Sequence, residues 1–114
     1  MLAIDRWLEI EALLSDLSIR ITVVDLDEET LRLVVYFKDG ANLRITEQWE
    51  HATLKRYSYY WLTADNQLKI GWDNAPHHVH LSTFPHHKHI ERQDNLVDSS
   101  ETCLEEVLAV LPLA

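Results

Sequence analysis

The residues best equipped for chemistry lie between Asp73 and His89. Six of the seven histidines fall there in two blocks, Pro76-His77-His78-Val79-His80 and Pro85-His86-His87-Lys88-His89. Near neutral pH an imidazole serves as base or metal ligand when neutral and as acid or anion partner when protonated. Two such blocks suit metal-independent cleavage of RNA. One histidine removes the proton of a ribose 2′-hydroxyl, another protonates the leaving 5′-oxygen, and a cation steadies the charge on the phosphoryl group. His77 and His87 are the first acid and base candidates, with His78, His86 and His89 in the same set. Arg56 and Lys88 are the candidate cations, Tyr57 and Tyr59 are candidate platforms for stacking a base, and Asp73 either joins the catalytic set or anchors a turn. This chemistry requires no cofactor. A metal centre uses the stretch differently: His78 and His80, or His87 and His89, stand two apart, so alternate side chains of a strand can reach one ion. Asp73 adds an oxygen, and three or four such ligands suit zinc. In a third reading the histidines only tune a protein-binding surface by pH or close a homodimer interface.

Such a cluster works only if a scaffold holds it, and hydrophobic periodicity describes that scaffold. From about Asp5 to Leu17, the apolar residues Ile4, Leu8, Leu14 and Leu17, with Trp7, Ile10 and Leu13, recur at helical spacing while Glu9, Glu11 and Asp16 face out. Ile19, Ile21 and Val23 alternate with polar neighbours as in a strand, and Leu31, Leu33, Val35 and Phe37 continue in a second. A three-residue loop, Lys38-Asp39-Gly40 with Gly40 left-handed, pairs Phe37 with Ala41, Val35 with Leu43 and Leu33 with Ile45, which keeps the apolar residues on one face. A two-residue turn at Asp65-Asn66 sets Trp61 opposite Ile70 and Tyr59 opposite Trp72. The other face then carries Ser58 beside Asp73 and Tyr60 over Gly71, with Arg56 one step further toward the histidines. Ile90 to Val97 reads as a short edge strand or a loop. Asp98 and Glu101 have the spacing of a capping box ahead of a second helix with Leu104, Val107, Leu108 and Leu111 as its stripe. The expected fold is α+β: an antiparallel meander of about five strands with the N- and C-terminal helices packed on one face, in a single domain over residues 1–114.

Bulk properties narrow the function. A net charge of −9 argues against general nucleic-acid affinity, which needs many Lys and Arg. Between His51 and His89, however, Lys55, Arg56, Lys69, Lys88 and all seven histidines face only Asp65 and Asp73, so the middle of an acidic chain can turn basic. No apolar run approaches the roughly 20 residues needed to span a bilayer. One cysteine, Cys103, excludes an intrachain disulfide and fits a reducing cytoplasm.

The segments Asp73-Asn74-Ala75-Pro76-His77-His78 and Phe84-Pro85-His86-His87-Lys88-His89, behind the Arg56-Tyr57-Ser58-Tyr59 strand, resemble the TumE family of small bacterial proteins, toxins of toxin–antitoxin modules. The resemblance spans most of the chain, and the histidine blocks are its specific part. It implies a small cytoplasmic protein encoded beside an antitoxin with a helix-turn-helix domain, and an activity directed at RNA.

Overall fold

Seven strands form one antiparallel sheet in the computed structural model, which describes residues 1–113. The strands β1 (Arg20–Leu26), β2 (Thr30–Tyr36), β3 (Asn42–Glu50), β4 (Thr53–Leu62), β5 (Leu68–Asp73), β6 (His87–Ile90) and β7 (Leu96–Asp98) are neighbours in sequence order. They lie between α1 (Ala3–Leu14) and α2 (Leu104–Val110). The architecture is the expected α+β meander, with seven strands where about five were expected. The additional strands come from the second histidine block and the polar tract after it. His87 and His89 alternate with Lys88 and Ile90 as in any strand, but histidines buried through hydrogen bonds break a pattern read from apolar residues.

The β2–β3 hairpin has the expected register, Val35 opposite Leu43 and Leu33 opposite Ile45, and Gly40 turns the chain at φ +87°. In the β4–β5 hairpin Tyr59 faces Trp72 and Trp61 faces Ile70, as expected, but the turn differs. The Thr63 N–H donates to the Gln67 carbonyl (2.9 Å), which leaves three residues, Ala64 to Asn66, in the loop. A bulge between Trp61 and Leu62 absorbs the extra residue and restores the register beyond it.

Both helices cover one face of the sheet. Ala3, Ile10 and Leu14 of α1 and Leu104 and Val107 of α2 join Leu31, Leu33, Val35, Leu43, Ile45, Tyr59 and Trp72 in the core. Two expectations about the helices need correction. α1 ends at Leu14, and its buried stripe is Ala3, Arg6, Ile10 and Leu14, while Ile4, Leu8 and Leu13 are exposed. Apolar residues lie nearly all round this helix, so spacing alone does not select the inward face; an ion pair does. Arg6 donates from Nε to Glu47 Oε1 (2.8 Å) and from Nη2 to Glu47 Oε2 (3.1 Å) and Glu105 Oε1 (2.8 Å), tying α1 to β3 and α2. Burial works against this guanidinium's charge, yet the hydrogen bonds it donates to Glu105 and Glu47 prevail and hold its pKa above the ordinary value. Asp98 and Glu101, for their part, do not cap α2, whose N-cap is Cys103. Glu101 accepts from Trp72 Nε1 (3.0 Å) and Lys88 Nζ (3.1 Å), and Asp98 accepts from Ser82 Oγ (2.6 Å).

Among the described residues, both helices lie on that one face and none covers the opposite face of the sheet. Among the described residues no helix is long and apolar enough to cross a membrane.

Candidate active site

Pairing of β5 with β6 sets Asp73 opposite His87 and Gly71 opposite His89, while β4 contributes Ser58 opposite Asp73 and Tyr60 opposite Gly71. Paired residues share a face and alternate residues return to it, so Tyr60, Asp73, His87 and His89 all project from the helix-free side. His87, His89 and Asp73 are nonetheless only 2%, 6% and 8% exposed, because the segment from Asn74 to His86 folds back over them. Asn74 pins the start of that segment by accepting from the Tyr57 N–H (2.9 Å) and donating to the Lys55 carbonyl (3.1 Å).

The carboxylate of Asp73 is the hub. Oδ1 lies 2.8 Å from His87 Nε2 and accepts from the Ala75 N–H (3.0 Å); Oδ2 lies 3.2 Å from His89 Nε2 and accepts from the Tyr60 hydroxyl (3.2 Å). The turn-anchoring and cluster-forming roles of Asp73 therefore coexist. Each ring's other nitrogen meets a main-chain oxygen: His87 Nδ1 is 3.0 Å from the Pro85 carbonyl and His89 Nδ1 is 2.8 Å from the Gln93 carbonyl. Carbonyls only accept, so both Nδ1 atoms carry hydrogen, and both Nε2 atoms converge on one carboxylate.

His78, from the first histidine block, supplies the lid. Its ring stands edge-on 4.9 Å from His87 and 6.5 Å from His89, centroid to centroid. Desolvation, followed by the neighbouring His87, His80, His89 and His77 rings, pushes its pKa below the ordinary value. The two blocks thus meet through one residue of the first and two of the second. The other sequence candidates lie elsewhere. His77 and His80 are exposed, and His86 faces the helix side, where its Nδ1 meets the Tyr57 hydroxyl (2.9 Å). Lys88 also points to the helix side and pairs with Glu101. Tyr57 and Tyr59 are buried in the core, stacked 4.9 Å apart, with no open ring face for a substrate. Arg56 is on the helix-free side and, with Tyr60, Asp73 and Asn74, lines a hollow of about 500 Å³ beside the cluster.

A family profile described as Toxin TumE matches residues 4–112, which include every residue of this cluster. The chain belongs to the TumE family. No curated protein and no solved structure matches it. TumE is a toxin family, and a toxin implies an antitoxin partner.

One member of the site in this TumE chain escaped the sequence reading although the register already placed it. Tyr60 lies across Gly71 and bonds Asp73; burial and then the Asp73 charge push its pKa up to about 12, so it stays a hydrogen-bond donor. Gly71 is what lets the ring lie there, since a Cβ on Gly71 would come within 2.0 Å of Tyr60 Cδ1 and Cε1. Gly71→Ala is expected to destabilise the protein by about 1–3 kcal/mol through overpacking. In a Tyr60→Ala background the same change should cost little, and urea unfolding of the four proteins measures that coupling.

Proposed function

We propose that this TumE-family toxin acts by cutting RNA at the cluster of Asp73, His87, His89 and His78, with a divalent metal ion held by the first three. The observation that carries the reading is the commitment of both Nδ1 atoms to backbone carbonyls. A neutral imidazole with hydrogen on Nδ1 has a lone pair at Nε2, and a lone pair 2.8 Å from a carboxylate oxygen needs a proton or a cation between them. Metal-bound histidines characteristically carry this outer hydrogen bond, which fixes the tautomer and the ring orientation. Two buried imidazoles and a buried carboxylate with ligand atoms within 4.8 Å of one another form a donor set for zinc or a similar transition ion. Ligands of a tetrahedral zinc stand about 3.3–3.6 Å apart, so separations of 2.8 and 3.2 Å need to open only slightly.

These contacts favour the metal-assisted chemistry over the metal-free one. With Nδ1 on a carbonyl and Nε2 on Asp73, neither His87 nor His89 has a nitrogen left to exchange a proton with a substrate. A divalent ion there supplies positive charge to a phosphoryl oxygen. The chain's own groups do the rest: His78, whose ring makes no hydrogen bond among the described residues, takes the 2′-hydroxyl proton as the 2′-oxygen bonds to phosphorus and returns it to the 5′-oxygen as the P–O5′ bond breaks, and Arg56 balances phosphate charge at the rim. Asp73 stays oriented by Tyr60 and Ala75. An RNA target places the action in the cytoplasm, held in check by an antitoxin with a helix-turn-helix domain.

Metal analysis of the purified protein and chelation test the reading together. Near-stoichiometric zinc or another divalent ion, and RNA cleavage lost with a chelator and restored by that ion, are expected. Cleavage at full rate by metal-free protein would return the site to acid–base chemistry without metal. Bound metal with intact RNA would overturn the nuclease reading, and absence of both would leave a protein-binding role.

A further inference from the structure

Four of the chain's six arginines, Arg20, Arg32, Arg44 and Arg56, occur one on each of β1 to β4, always twelve residues apart. All four are exposed, and none forms an ion pair among the described residues. Cross-strand pairing puts them on the helix-free side. Arg32 lies in one row with Thr46, Ser58, Asp73 and His87; Arg44 lies in the next row with Tyr60, Gly71 and His89; Arg56 sits opposite Gln48. Arg20 is set apart, its guanidinium 4.3 Å above the Tyr36 ring. The carboxylates paired into these rows are Asp25, across from Arg32 at the outer strand, and Asp73 and Asp98 at the cluster. Between Asp25 and Asp73 the rows hold only cationic, neutral polar, aromatic and apolar groups. In a chain of net charge −9, such a patch is a segregated field of positive sign.

The shape matches the charge. Two hollows of about 530 and 500 Å³ share Arg32, Thr46, Ser58 and Tyr60, so they form one trough that runs from Arg44 to Asp73. Four inter-strand steps separate Arg32 from His87, roughly 19 Å at about 4.8 Å per step. Single-stranded nucleic acid is gripped by a cationic groove that follows the backbone together with aromatic faces that stack bases. The trough offers both, since the half-buried Tyr60 ring lies over Gly71 between the arginines and the histidines.

We propose that this helix-free trough is a track for single-stranded RNA, in which Arg32, Arg44 and Arg56 hold phosphates and Tyr60 stacks a base, delivering the next phosphodiester to the His87–His89 cluster. The assignment rests on the RNA reading of the cluster and names the path by which substrate reaches it. It also explains how an acidic protein binds RNA: only one face takes part, and the carboxylate-rich helices lie on the other side of the sheet.

Anisotropy of a fluorescent, uncleavable 2′-O-methyl oligonucleotide on the intact protein tests the track separately from cleavage. Arg32→Ala/Arg44→Ala is expected to weaken binding about tenfold. The slope of log affinity against log salt should fall by about 1.4, two phosphate contacts at about 0.7 each. Arg92→Ala, in the β6–β7 turn and paired with Asp94, should change neither. Exposed arginines are replaceable without unfolding, which melting curves check. Wild-type affinity and salt slope in the double variant, or no binding by wild type, would overturn the track. So would loss of antitoxin binding in the double variant with oligonucleotide binding intact, which would mark a protein-docking face. If the oligonucleotide binds as expected but wild type leaves RNA uncut, the track stands and the nuclease reading falls. If RNA is cut and the double variant keeps the wild-type KM, the reverse holds.

Discussion

His87→Ala is expected to abolish growth inhibition and to lower RNA cleavage about 10²–10³-fold, the range for loss of one charge-stabilising group. The change removes one of two imidazoles from Asp73 and the ring against which His78 stands. His89→Ala should act similarly, since its Nε2 faces the other carboxylate oxygen. The discriminating part is the rest of the histidine series. His77→Ala and His80→Ala alter exposed rings outside the cluster and should retain near-wild-type activity. His86→Ala removes a partner of the Tyr57 hydroxyl on the other face and should be read in stability rather than in chemistry. Toxicity assays of these five alanine variants, with His87→Gln and melting curves as fold controls, give this ranking. Equal loss at His77 and His87 would place the chemistry outside the Asp73 cluster.

Arg6→Ala is expected to destabilise the protein by about 3–5 kcal/mol, the range for breaking a buried ion pair from one side. Total stability for 114 residues is roughly 6–17 kcal/mol, so the change removes a large share of it. Arg6 is 3% exposed and Glu47 is fully buried; without the guanidinium, Glu47 keeps only the Tyr59 hydroxyl (2.6 Å) and Trp49 Nε1 (2.9 Å) as donors to an uncompensated charge. Arg6→Ala/Glu47→Gln should recover part of the loss, because the amide oxygen still accepts while the buried charge is gone. Urea midpoints decide, and a cost near zero for Arg6→Ala would show that the pair contributes nothing net. The same network has a pH signature. The Arg6 hydrogen bond holds Glu105 below its ordinary value of 4.5. A depressed carboxylate contributes stability that is present above that value and lost as pH falls below it, so Glu105→Gln should flatten the acid limb of the stability profile.

Much of the sheet is legible from the chain. The β2–β3 register follows from the requirement that Leu33, Val35, Leu43 and Ile45 share a buried face, and a one-residue slip would expose them all. The same logic places Tyr60 over Gly71 and Ser58 beside Asp73. Legibility ends where polar residues are buried. β6 is hidden because two of its four residues are histidines buried on the face away from the core, and Arg6 is hidden because its partner Glu47 is 41 residues away. Glu101 has the spacing of a capping residue but is drawn instead to Trp72 and Lys88. There, long-range hydrogen bonds outweigh a capping preference worth about 1 kcal/mol.

The sequence by itself determined the α+β class, the hairpin registers and the stretch in which the histidines concentrate, because alternation and residue type are local properties. Only the tertiary structure decided which histidines meet. The two blocks are nearly identical as text, yet the first lies in turns and the second in a strand, and just His78, His87 and His89 gather around Asp73. The physical reason is that a buried imidazole must find a partner for each nitrogen. His87 and His89 find theirs in one carboxylate on the adjoining strand and in the main-chain carbonyls of Pro85 and Gln93.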